Sequence, residues 1–228
     1  MKAALAFGLA GLLLFPSTPL AQMAQTPRQL EHSKLFQHYG KSGFKLTESK
    51  GGYGIEEDIP LESTLPSRSA FFTKIACQAD AVIVGKVVSQ TAVMSPDESF
   101  IFTDAEVSAT EVLRNNLLSE LHATQTITVT RPGGALTLNG KQVRVALNHF
   151  RDFSNGGQYL LFLKFLPTTQ DYQAVWNRSF ELRDSAIVNL TRLMFWDGQR
   201  QAHDQDALDL DGASALADAR AAVASSCH

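Results

Sequence analysis

The run that begins at Cys77 constrains this chain more than any other stretch. Cys77-Gln-Ala-Asp80 makes a short polar turn, and Ala81, Val82, Ile83, Val84, Val87 and Val88 follow, interrupted only by Gly85 and Lys86. β-Branched residues at this density predict a strand. The segments downstream read as further strands that fold back onto it.

Those segments carry their own punctuation. Ser95-Pro-Asp-Glu98 is a turn by composition. A long second strand is expected from Phe100 to about Arg114, with a bulge near Asp104-Ala105 to reconcile Phe102, Val107 and Val112 with a period of two. Asn115 to His122 reads as a connector of one or two helical turns. Gln125 to Arg131 alternates cleanly, with Ile127 and Val129 on one side and threonines on the other, as a half-buried strand does. Asn139-Gly140 between two apolar runs is a hairpin signal. Tyr159 to Leu166 has the length and apolarity of a core strand, and Tyr172 to Trp176 completes the set. Phe180 to Phe195 adds extended segments of less distinct pattern.

The N-terminal third has a different composition. Met1-Lys2, an apolar run from Ala3 to Phe15 and the small-residue segment ending at Ala21 fit a cleavable secretory signal over residues 1–21, with Ala24 as an alternative cut. Thirteen apolar residues are too few to span a bilayer comfortably. The expectation is a secreted or periplasmic chain with no stable membrane insertion after cleavage. Residues 22–69 are polar and rich in Gly and Pro, which predicts a flexible arm or linker. Within it Arg28 to Tyr39 suggests a short amphipathic helix, with Leu30, Leu35 and Phe36 loosely on one side. His32 and His38 are expected on a solvated helix edge.

Ser69 to Ala76 suggests a brief helix leading into Cys77. At the other end, residues 201–228 read as an acidic loop followed by a helix. Asp211 is the expected cap, and Leu216, Val223 and Cys227 form a narrow stripe. In an oxidising compartment Cys77 and Cys227 are most simply one disulfide, the alternatives being two buried thiols or a reactive one. Closing a loop of about 150 residues would stabilise the fold by roughly 4 to 5 kcal/mol.

Three of these stretches also carry a resemblance. Cys77-Gln-Ala-Asp-Ala-Val-Ile-Val-Gly-Lys-Val87, Thr128-Val-Thr-Arg-Pro-Gly-Gly134 and Gly157-Gln-Tyr-Leu-Leu-Phe-Leu163 resemble the core of netrin-module and tissue-inhibitor-of-metalloproteinase (TIMP) domains. They are closer still to small exported bacterial proteins that share that barrel. The resemblance covers roughly residues 75 to 176 and agrees with the strand pattern, which suggests a mainly β fold: a five- to six-stranded Greek-key barrel of OB type over residues 70–200, followed by the C-terminal helix. In the metalloproteinase inhibitors a chain-initial cysteine chelates the enzyme's zinc through its free amine. Here Cys77 follows the expected leader by more than fifty residues, so the fold carries over more readily than that activity.

The sequence offers few chemical constellations. A formal charge of −3 gives no electrostatic case for nucleic acid. His149 with Asp152 has the types of a base and its orienter, but no nucleophile accompanies them, so no enzyme activity is expected. Asp204, Asp206, Asp209 and Asp211 are dense enough for Ca²⁺ but miss the loop spacing, and no metal or other cofactor is expected. The backbone amides of Arg131-Pro-Gly-Gly134 could cradle an anion, the alternative being a turn that leaves a strand. Tyr159, Trp176 and Trp196, with Phe162 and Phe195, suggest an aromatic platform. The resulting expectation is a non-enzymatic binding module for a protein or other extracytoplasmic ligand. A protease-inhibitor-like module is the second reading and a hydrolase the third.

Overall fold

The computed structural model describes residues 25–55, 67–147, 150–184, 186–190, 194–196, 202–204, 210 and 212–225. The expected signal segment, the Asp211 cap, Cys227 and most of the acidic run lie outside them. The fold is mainly β, with helices at either end of the described chain and one before the long hairpin. Among the described residues no helix is long and apolar enough to cross a membrane.

The Cys77 run becomes α2 (Arg68–Gln78) and β2 (Ala81–Met94). Ser67 caps α2 by accepting from the Ala70 amide. β2 pairs antiparallel with β3 (Ile101–Arg114) on one side and with β7 (Gln158–Leu166) on the other. All three strands are covered on both faces along part of their length. Val82, Val84, Leu160 and Phe162 face the helices, while Ala81, Ile83, Val87, Leu161 and Leu163 face the opposite core. This explains why neither β2 nor β7 alternates in sequence.

β3 continues to β4 (Thr126–Pro132), and β7 to β8 (Asp171–Arg183) and β9 (Ala186–Asn189). β4 also pairs in parallel with β8, at Val129↔Tyr172 and Thr130↔Gln173. The pairings β4-β3-β2-β7-β8 therefore return to β4. A second sheet has the order β1-β6-β5, from β1 (Gly52–Ile55), β5 (Gly134–Leu138) and β6 (Lys141–Leu147). The expected hairpin at Asn139-Gly140 joins β5 to β6, both residues having positive φ. Short strands β10 (Met194–Trp196) and β11 (Ala202–Asp204) pair with each other.

Several expectations are corrected. No bulge lies at Asp104-Ala105; the register shifts fall at the far end of the hairpin, between Val82 and Ile83, Val84 and Gly85, and Val87 and Ser89. Residues 101–105 lose their alternation because both their faces are buried. The Asn115–His122 connector contains no helix. The described part of the arm is not a free linker. α1 (Pro27–Leu35) carries a capping box on Thr26 and Gln29, Phe36 and Leu46 are fully buried against Phe100 and Phe102, and β1 adds a parallel strand to β6. Polar composition hid this because the arm docks through a few large side chains and a hydrogen-bonded strand, not through a periodic apolar face.

α3 (Ala213–Ser225) lies against α2, with Leu216 and Val223 in the shared core, as the stripe predicts. Arg220 reaches outward to Glu111 at 2.9 Å. Cys77 is exposed in the last turn of α2, and no cysteine among the described residues is a free thiol.

Gly85 marks the tightest approach in the long hairpin. A Cβ there would lie 2.6 Å from Val107 Cγ1 and 3.2 Å from the Ser108 carbonyl oxygen. Gly85→Val is expected to destabilise the fold by roughly 2 to 3 kcal/mol through overpacking. A urea titration should show a lower midpoint with an unchanged slope; an unchanged midpoint would mean that the hairpin relaxes freely.

Candidate functional site

Three polar assemblies stand out among the described residues, and the third lines a cavity. The first pins the N-terminal arm. His32 is fully buried, not on a solvated edge: α1 turns His32 and Ser33 inward and leaves Leu30 40% exposed. Its Nδ1 lies 2.9 Å from Asp104 Oδ1 on β3, and its Nε2 lies 3.1 Å from Asp171 Oδ2 on β8. Arg28 Nε adds a contact of 3.1 Å to the same Asp171 oxygen. Burial opposes charge on the imidazole, but the bonds and charges of Asp104 and Asp171 outweigh it and raise its pKa from 6.5 to about 9. With both ring nitrogens engaged, the ring serves as a strut between two strands and the arm.

That strut has a defined pH dependence. Because the folded pKa is raised, its stabilisation is fully present below pH 6.5 and is lost as the pH rises through about 9. The gap between the two values corresponds to roughly 3 kcal/mol. His32→Gln is expected to lower stability at pH 6 by a comparable amount and to flatten the profile between pH 6 and 10. Urea melts of both proteins across that range check this. An equally steep decline in the variant would remove His32 from the account.

The second assembly contains Arg131, whose side chain is only 1% exposed. Its guanidinium donates to Asp152 Oδ1 at 2.8 Å and to the Phe150 carbonyl at 3.1 Å, and stacks over the Phe150 ring at 4.4 Å. Asp152 also holds Arg144 at 2.7 Å. Arg131 therefore anchors the 150–153 segment, and the Gly133 amide of the expected anion cradle donates to the Ile101 carbonyl at 2.9 Å. Asp152, weighed above as an orienter for His149, bonds to two arginines, and His149 lies outside the described residues.

Of the expected aromatic platform, Tyr159 and Phe162 do not share a surface. Tyr159 is buried, its hydroxyl accepting from the Ser154 amide at 2.7 Å. Phe162 points to the opposite face of β7, under the helices. Trp176 lies on β8 and Trp196 on β10, in different sheets. Alternation along β7 makes Tyr159 and Phe162 incompatible as one surface. Among the described residues no cluster of three or more His, Cys, Asp or Glu side chains is placed to hold a metal ion.

The third assembly is a cavity of about 950 Å³ where the C-terminal end of α2 meets the ends of β3 and β7. Arg114, Lys164 and Arg178 line it, against one carboxylate, Asp80. Its apolar wall includes Leu117 and Leu118, which are 99% and 75% exposed. These leucines sit on a braced loop. Asn115 Oδ1 accepts from the Leu121 amide at 2.7 Å and its Nδ2 donates to the Leu121 carbonyl at 3.0 Å. Asn116 Oδ1 accepts from the Leu118 amide at 2.9 Å, while its Nδ2 reaches the Tyr172 hydroxyl at 3.3 Å. The loop is thus held by side-chain bonds while two leucines remain in water.

Neither Arg131 nor Tyr159 lines this cavity. The available signal was Asn115-Asn-Leu-Leu118, in which asparagines able to bond local backbone precede two leucines that no periodic face requires.

Comparison with known proteins does not supply an identity. No protein-family model matches the chain, and no curated protein matches its sequence.

Proposed function

We propose that this chain is an exported, non-enzymatic binding module built on an OB-type barrel, and that it engages a protein through the cavity and leucine loop beside α2. The pairing cycle β2-β3-β4-β8-β7, with its parallel β4–β8 step, supports the OB-type reading. The N-terminal apolar run supports export. Cys77 and Cys227 are proposed as a disulfide. α3 ends at Ser225, two residues before Cys227, and its Val223 lines the same cavity as Cys77.

The observation that carries the binding reading is the braced pair Leu117 and Leu118. Adjacent leucines at 99% and 75% exposure cost solubility unless they are covered in use. The bracing also lowers the ordering cost of covering them. An inhibitor acting through a cysteine amine is less well supported, because Cys77 lies within α2 and its nitrogen is an ordinary amide.

Affinity capture of the oxidised protein from the extracytoplasmic fraction tests the proposal. Leu117→Ser/Leu118→Ser is expected to leave stability within about 0.5 kcal/mol of the parent, since both side chains are exposed, yet to lose the captured partner. Retention of the same partner by the variant would overturn this placement. Inhibition of a metalloprotease panel by the parent would favour the inhibitor reading.

A further inference from the structure

The cations in the cavity are arranged for more than solubility. Lys164 Nζ lies 3.4 Å from Asp80 Oδ1, a long contact between half-exposed groups, and the other Asp80 oxygen accepts from the Phe165 amide at 2.9 Å. Asp80 is thus the one carboxylate lining the cavity against three cations, and its charge also acts on Arg178, without a direct contact. The two guanidiniums rest on neutral acceptors. Arg114 Nη1 donates to the Ala76 carbonyl at 2.5 Å, and Arg178 Nη2 donates to Gln78 Oε1 at 2.5 Å. Neither has a carboxylate partner among the described residues, and Arg178 Nε is buried without a hydrogen-bond acceptor there. Neutral anchors fix the positions of these guanidiniums, and one carboxylate among three cations leaves the cavity with an excess of positive charge. A guanidinium so held is prepared to receive a carboxylate through paired N–H donors.

Resting on the binding-module reading above, we infer that this cavity recognises an acidic peptide segment: an Asp or Glu side chain enters between Arg114 and Arg178, and a neighbouring apolar side chain packs on Leu117 and Leu118. Charge complementarity and the mixed lining support this occupant. The cations lie in a recess, which a protruding side chain enters and a flat layer of lipid headgroups does not. The chain's overall charge of −3 also disfavours an anionic membrane.

The test uses the oxidised full-length protein and a fluorescent, end-blocked hexapeptide with a central glutamate flanked by leucines. Its glutamine analogue and phosphatidylglycerol vesicles serve as comparison probes. The glutamate peptide is expected to bind roughly tenfold or more tightly than the glutamine peptide, as a charge-assisted bond predicts. Affinity should fall with added salt, and the preference should collapse in Arg178→Gln while Arg178→Lys retains part of it. Thermal melts of both variants establish that they fold, and Arg114→Gln provides an independent second removal of charge.

Equal affinity for the two peptides would overturn the inference, as would an unchanged preference in folded Arg178→Gln and Arg114→Gln. Binding to vesicles but not to the peptide would overturn it in favour of a lipid surface. If neither peptide nor vesicle binds while Leu117 and Leu118 still determine partner capture, the acidic-segment inference fails and the binding-module proposal survives.

Discussion

Double-sided burial of β2 is the constraint on which the rest of the structure depends. The strand gives Val82 and Val84 to the core beneath α2 and α3, and Ala81, Ile83 and Val87 to the core opposite. It also bonds to β3 and β7 along its two edges. A strand that satisfies neighbours in four directions leaves little freedom in register, because a slip by one residue would exchange the two cores. Gly85 is where this crowding reaches the backbone, and Val107 occupies the space that a side chain would need.

Around that frame, ionic groups act mainly as fasteners. Asp104 on β3 and Asp171 on β8 hold His32 from the arm; Asp152 holds Arg131 and Arg144. His32 meets carboxylates from two distant strands, and buried Arg131 meets the carboxylate of the 150–153 segment, so both pairings fix how segments dock. Such pairs give only modest net stability against desolvation, but removal of either partner leaves a charge stranded. The cavity beside α2 differs in kind. Its guanidiniums are held directly by neutral oxygens, and the single lining carboxylate, Asp80, offsets only part of the positive charge.

This difference explains why conspicuous residues misled and inconspicuous ones mattered. Arg131 and Tyr159 stand out in sequence as polar or aromatic residues beside turns, yet both are inward-facing and internally paired. Their rank as surface candidates came from residue type, which does not encode direction. Leu117 and Leu118 looked like part of a helical connector, whereas Asn115 and Asn116 bond the local backbone and hold a non-helical loop. His32 was invisible as a core residue because its partners are 72 and 139 positions away.

The sequence by itself determined the local elements: the β2 run, the Asn139-Gly140 turn, the apolar β7 strand, the helix before Cys77 and the stripe of α3. Each rests on short-range rules of propensity, turn chemistry and periodicity. Only the tertiary structure decided that residues 27–55 pack as part of the fold, that β4 meets β8, and that Arg114 and Arg178 share a cavity with two exposed leucines. Those outcomes depend on contacts between residues far apart in the chain. Their energy comes from burial and charge pairing, and neither exists until the strands have been brought together.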